Sequence, residues 1–482
     1  METSGVTRYQ CDLAVIGAGL AGFAAALRAA QQGLVARVFE KLPDTRHLCN
    51  SRLTGGIFHV ALDGLLDPPA VLRQRIETAT DGSADPELAG AIADDALRLV
   101  RWLQAQGIRF MRSGRDPWQT FTLAPPALPQ FGRRWQGRAG DVMLRVLEQR
   151  LSQSNGKVLR GHRAQELLMR EGRCEGFSGV TLDGLPFAVE ARAVVIADGG
   201  FQADPRELEQ HISPDPSRLC QRNAQTGFGD GLRMARRAGA AAVGLSAFYG
   251  HTLSRDALHN DMLWPFPWAD DLARASIVVG PDARRFVDEG RGGVYIANQL
   301  ARLPDPAAAC AIFDEETWQG PGRNRALSAN PYMVHAGGTL HRATTLNQLA
   351  AQAGLPSQVL VAEVAAYNAA LAADRLRDLC PARSVLKAPA RPITRPPFYA
   401  LPIVAGITYT MGGIRIDAHA RALTESGLPI PGLYAAGACT GGLEGGPQAG
   451  YVGGLIKAGV TGLRAGEHAT EVQASLALAR EL

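Results

Sequence analysis

Apolar residues fill 13–16, stop at Gly17, Gly19 and Gly22, and resume in an alanine-rich run with helical spacing until Gly33. A second short apolar run, 35–39, ends at Glu40. The change from strand-like to helix-like spacing and back makes 11–41 one strand, turn, helix, strand unit. Leu88, Ile92, Ala96, Leu97, Leu99, Val100 and Leu103 share one side of 86–106 and predict an amphipathic helix. The stretch 112–138, rich in Pro, Gly and Arg, reads as a long connection, and 140–151 as a further helix. Alternating segments between 158 and 196, divided by Glu171-Gly172 and Asp183-Gly184, predict a meander of short strands. The meander ends at the pair Gly199-Gly200, and 225–238 repeats the turn-to-helix logic with Gly227, Gly229 and Gly231.

From about residue 245 the glycine signatures cease, leaving proline-rich joints such as 391–397 and a long helix over 357–373. They return in Thr410-Met411-Gly412-Gly413, a strand and turn at 432–437, a glycine-rich loop at 441–454 and a helix over 455–470. The pattern predicts an α/β fold: a Rossmann-type dinucleotide-binding domain in two parts, 8–246 and 404–475, interrupted by an inserted α+β capping domain, 247–403.

The first turn carries the chemistry. Gly17 permits a tight turn, Gly19 lets backbone approach a pyrophosphate, and Gly22 lets helix pack on strand; the amides of Leu20 and Ala21 open the helix with a partial positive charge. A carboxylate roughly 20 residues on accepts from ribose hydroxyls and repels a 2'-phosphate, so Glu40, followed by Lys41, selects FAD or NAD over NADP. Asn50, Ser51, Thr54, Gly55 and Gly56 form a small-residue loop suited to a flat ligand. Ala197, Asp198 and Gly199 bring main chain to the adenine or ribose side. Asp230, Gly412, Gly437, Gly453 and Leu455 complete the candidate cofactor-binding residues.

Composition narrows the function. At 482 residues the chain can bury two or three cores, and a formal charge of +4 with no long basic run gives no nucleic-acid surface. Seven scattered cysteines contain no CxxC, which excludes an attached c-type haem, argues against an iron-sulfur cluster, offers no metal site and suits a reducing cytoplasmic compartment. The first ten residues lack the charged and apolar regions of a secretion signal, and no run of 18 apolar residues predicts a membrane span.

The ordered motifs VIGAGLAG, the Asn-Ser loop with its Gly pair at 50–56, ADGGF at 197–201, GDGLRMA at 229–235, RFVDEG at 285–290, TMGGIRID at 410–417 and PGLYAAG at 431–437 cover nearly the whole chain. It resembles the fumarate reductase and succinate dehydrogenase flavoprotein superfamily, which includes 3-oxosteroid 1-dehydrogenases and tricarballylate dehydrogenase. The resemblance implies FAD, a cap that closes substrate against the flavin, and hydride exchange at a carbon beta to a carbonyl or carboxylate. Removal of the alpha proton then needs a side-chain base, and the developing enolate needs donors.

Departures from the family pattern are informative. Tyr409 stands where fumarate reductases place a carboxylate-binding His, and 446–454 lacks their second clamp, an Arg. Both changes disfavour a dicarboxylate. Tyr409 and Tyr451 become the candidate base and carbonyl donor, in either order. His251 matches a cap-entry His that binds substrate, and Arg291 is the nearest counterpart of the reductases' general-acid Arg, either functional or paired with Asp288 or Glu289. The flavin-linked His of succinate dehydrogenases has Cys49-Asn50 at its position, with His47 nearby, so FAD is expected to bind noncovalently. The expected reaction is desaturation beside a ketone or carboxylate, as in a cyclic keto acid such as 4-oxocyclohexanecarboxylate. Tricarballylate oxidation, fumarate-type reduction and a flavin-carrying electron-transfer subunit are the alternatives. The electron acceptor, whether oxygen, a quinone or a partner protein, is expected to be external.

Overall fold

The computed structural model describes residues 6–132 and 134–481. Five strands form a parallel sheet in the order Gly156–Arg160, Ala36–Glu40, Thr7–Ile16, Pro186–Ile196, Pro429–Ala435, with Arg421–Leu423 antiparallel at one edge. Val15 pairs with Val38 on one side and Val195 on the other. Strands buried on both faces read as unbroken apolar runs, which is why 13–16 and 193–196 carry no alternation. The meander His162–Arg170 and Arg173–Thr181 adds antiparallel to Pro186–Ile196. These three consecutive strands are the meander; its last strand also pairs in parallel with Thr7–Ile16, and Gly156–Arg160 stands outside it, parallel to Ala36–Glu40.

Helix Leu20–Gln31 buries ten of its residues. Its alanines admit the long last helix, Gly454–Glu481, so closely that a β-carbon on Gly462 would lie 2.4 Å from the carbonyl of Ala21. That last helix runs well past the 470 expected from its pattern. The helix expected at 86–106 spans Pro86–Ala105, and Asp85 caps it by accepting from the amides of Glu87 and Leu88. The connection 112–138 contributes strand Phe121–Leu123, which pairs with Ile57–Phe58 and Phe110–Met111. The loop near residue 50 holds a helical turn, Asn50–Leu53.

A second sheet is built on the 13-residue strand Phe398–Thr410. Phe248–Ser254, Cys310–Asp314 and His341–Ala343 pair with it antiparallel, and Cys220–Gln221 in parallel. Its apolar run continues unbroken through the boundary expected at 403/404, so one strand serves both regions. One irregularity matters. Tyr249 pairs with Tyr409 but Gly250 pairs with Ile407, leaving Thr408 as the extra residue of a β-bulge.

Candidate functional site

A cavity of about 720 Å³ opens where the ends of the parallel strands meet the second sheet. Gly17, Gly19, Leu20, Ala21, Glu40, Lys41, Asn50, Ser51, Thr54, Gly55, Gly56, Ala197, Asp198, Gly199, Asp230, Gly437 and Leu455 all line it. Gly17 takes φ +103°, and a β-carbon there would fall 2.6 Å from the carbonyl oxygen of Ala197. Glu40 is pinned at the turn by the amides of Ala18 and Leu42, each at 3.0 Å. β-Carbons built on Gly55 or Gly199 would meet no protein atom within 4 Å, so the wall is open there for a flat ligand. Asp198 accepts from the Gly231 amide at 2.7 Å, its other oxygen is buried without a partner, and burial raises it to about 6.

Other residues of this end brace the walls. Asn50 donates to the carbonyl of Thr408 at 2.8 Å and accepts from the Ala224 amide at 2.9 Å, while Ser51 accepts from the Leu20 amide at 3.0 Å. Lys41 donates to the carbonyl of Thr226 at 2.6 Å, and Arg163 and Arg233 hold Asp230 ionised. Gly412 and Gly453 stand outside the cavity lining. They are glycines because backbones cross: β-carbons would fall 2.2 Å from the Gly244 carbonyl and 2.5 Å from that of His59. His47 is also outside it, buried beneath the turn with Nε2 donating to the carbonyl of Ala18 at 3.1 Å.

At the other end Tyr409, Tyr451, His251 and Arg291 come together in the same cavity. Tyr409 donates to Glu444, 3.0 Å from either carboxylate oxygen. Glu444 in turn accepts from the amides of Val452 and Gly453 and sits 3.5 Å from Lys457. Burial and this carboxylate hold the Tyr409 phenol well above its ordinary pKa, so it is a fixed donor.

Tyr451 stacks on Tyr249, with ring centroids 3.9 Å apart. The Tyr249 hydroxyl lies 3.1 Å from Nε2 of His251, whose Nδ1 lies 2.6 Å from Asp270. A carboxylate can only accept, so Nδ1 carries the proton and Nε2 accepts from Tyr249. Burial lowers the His251 pKa despite Asp270 and keeps the ring neutral. The result is a directional chain from Tyr249 through His251 to Asp270, with Tyr451 stacked at its head. Arg291 both lines the cavity and lies 3.4 Å from Asp288, whereas Glu289 is taken by Arg285 and Arg383.

Sequence reasoning passed over Tyr249, Asp270, Glu444 and Arg222. A signal existed for the first: Tyr249 and His251, two apart on a strand, share a face. Asp270 opens a four-residue helix, and Glu444 and Arg222 lie in loops, all too short to show a period.

A family model described as FAD binding domain matches residues 12–451. The chain belongs to the FAD binding domain family. This FAD-binding chain is 30% identical over 433 residues to 4-oxocyclohexanecarboxylate 2-dehydrogenase of Sinomonas cyclohexanicum, covering 83% of the chain and 72% of that protein. It is 27% identical to NADH:acrylate oxidoreductase of Vibrio harveyi over 80% of the chain, but spans only 37% of that longer protein. In fold it is similar to the 3-ketosteroid Δ1-dehydrogenase of Sterolibacterium denitrificans, with a TM-score of 0.73, 20% identity and coverage of 96% and 100% of the two chains. These likenesses place the flavoprotein in the fumarate reductase and succinate dehydrogenase superfamily, with FAD as cofactor. Among the described residues no helix is long and apolar enough to cross a membrane.

Proposed function

We propose that this flavoprotein is a dehydrogenase that removes vicinal hydrogens from a carbon-carbon bond beside a ketone, with a cyclic keto acid such as 4-oxocyclohexanecarboxylate as substrate. The observation that carries this reading is the Tyr249, His251, Asp270 chain, with Tyr451 stacked at its head, opening into the cavity whose other end has dinucleotide-binding walls. Similarity to a dehydrogenase of that substrate supports it. The Gly17–Ala21 turn, Glu40, Asp198, Gly199, Gly437 and Leu455 are the lining residues that would hold FAD noncovalently. When bound, it supplies a two-electron acceptor for the hydrogen on the beta carbon.

The protein's own part is the alpha proton. Tyr451 takes it as its own proton passes to Tyr249 and that of Tyr249 passes to Nε2 of His251, leaving an imidazolium beside the Asp270 carboxylate. Tyr409, kept protonated by Glu444, holds the start of the last helix, whose positive end faces the developing negative charge. The segment 247–403 acts as the cap that excludes water, electrons leave to an external acceptor, and the free cysteines suit a cytoplasmic setting.

Anaerobic mixing of the FAD-loaded protein with 4-oxocyclohexanecarboxylate tests the reading: the flavin absorbance should bleach and the enone should form. Bleaching by tricarballylate instead would overturn it. Fumarate-type reduction is the second reading, favoured by the cationic side chains of the wall, and is read as reoxidation of reduced flavin by fumarate. No response to any of these compounds would leave a flavin carrier.

A further inference from the structure

Besides Lys457, which is paired with Glu444, five cationic side chains surround the tyrosine end of the cavity: Arg222, Arg274, Arg291, Arg325 and Lys387. Arg274 and Arg325 both pair with Asp271, Arg291 faces Asp288, and Lys387 is exposed. Arg222 is different. No ion pair among the described residues includes it, and the nearby Asp270 is committed to His251 and the Thr252 amide. Its Nη1 donates to Thr408 Oγ1 at 2.9 Å, its Nε is buried with no partner, and its guanidinium lies 5.2 Å from the Trp268 ring. A sheltered cation with unspent donors is costly unless an anion completes it, and the aromatic face compensates only in part.

The placement of Arg222 relates it to the reacting end. Its amide donates to the carbonyl of Ile407 at 2.8 Å, and its side chain holds the bulged residue Thr408, next to Tyr409. Trp268 stacks on His251 at 3.8 Å, so one indole supports both the relay and this cation. We infer that Arg222 is the specificity-determining residue that binds the carboxylate of the substrate while its ketone side faces Tyr451. This rests on the keto-acid reading above and adds that the wall selects a monoanionic substrate through a residue outside the usual two clamps. A guanidinium binds a carboxylate through paired donors, a geometry that lysine reproduces only in charge.

The experiment compares 4-oxocyclohexanecarboxylate with its methyl ester on FAD-loaded wild type, Arg222→Gln and Arg222→Lys. In parallel, calorimetry measures binding of cyclohexanecarboxylate, which carries the anion and no ketone. Wild type should prefer the acid in kcat/KM, Arg222→Gln should reduce that preference about 10- to 100-fold, and Arg222→Lys should recover part of it. Cyclohexanecarboxylate affinity should fall by a similar factor in Arg222→Gln. Equal losses on acid and ester, or cyclohexanecarboxylate affinity independent of residue 222, would overturn the assignment. If neither ketone bleaches wild type but cyclohexanecarboxylate binding still depends on Arg222, the reaction has been misread and the anion site stands.

Discussion

Burial, rather than the carboxylate beside it, decides the state of His251. Asp270 pushes the imidazole towards protonation, yet desolvation is the larger influence, and the net pKa lies below the ordinary 6.5. The ring therefore stays neutral at pH 7, as the proposed relay from Tyr249 requires. We expect the acid limb of the kcat/KM profile to fall below pH 6.5. Asp270→Asn, by removing the charge that raises the pKa, should move that limb further down and lower kcat as the tautomer is no longer held. A limb above 6.5 would show that a different group titrates. Tyr451→Phe should lower kcat by roughly 10²-fold or more with FAD still bound, because the head of the relay is gone. Unchanged turnover would demote Tyr451 to packing. His251 was legible through the family resemblance of its segment, 248–254, and not from any period of its own. The order of the tyrosines was not, because a hydroxyl's partner comes from another element.

At the scale of elements, two features position the site. The β-bulge at Thr408 lets two successive residues of one strand, Thr408 and Tyr409, both line the cavity, where a regular strand would turn one of them away. The buried pair Arg52 and Asp141 ties the turn Asn50–Leu53 to helix Ala139–Ser152, with Arg46 and the Gly137 amide also on Asp141. Asp141→Leu strands a buried guanidinium and should cost about 3–5 kcal/mol in urea unfolding, whereas the double variant with Arg52→Met should recover most of that. A double variant as unstable as the single one would refute the account. The glycine turn was legible because each of its glycines answers a local steric need. The bulge was not, because an extra residue shows only against the partner strand.

The whole molecule should lose stability in mild acid. His47, His59, His211, His251, His341 and His468 all lie below 6.5 through burial, His59 at about 4. Unfolded, each takes up a proton near 6.5 that the folded chain refuses, so stability falls as pH drops below about 6.5. The part due to His59 is fully lost by about pH 4, roughly 3 kcal/mol. Asp198, raised to about 6, opposes this as a single group. Thermal unfolding between pH 7.5 and 4.5 measures the net, and a Tm that rises on acidification would contradict it.

At this scale the α/β character and the discontinuous sheet were legible in the return of glycine signatures after residue 404. The strand Phe398–Thr410, shared by both regions, blurs the boundary that composition suggested.

One uninterrupted chamber also has a consequence for how such a catalyst can recognise anything. On the function proposed above, the dinucleotide and the small molecule would share it with no partition, and the first occupant would furnish part of the surface against which the second is judged. Selectivity is then a property of the loaded protein and not of the polypeptide. Changes at Asp198 or Gly55, far from the tyrosines, belong among those that can alter which compounds react.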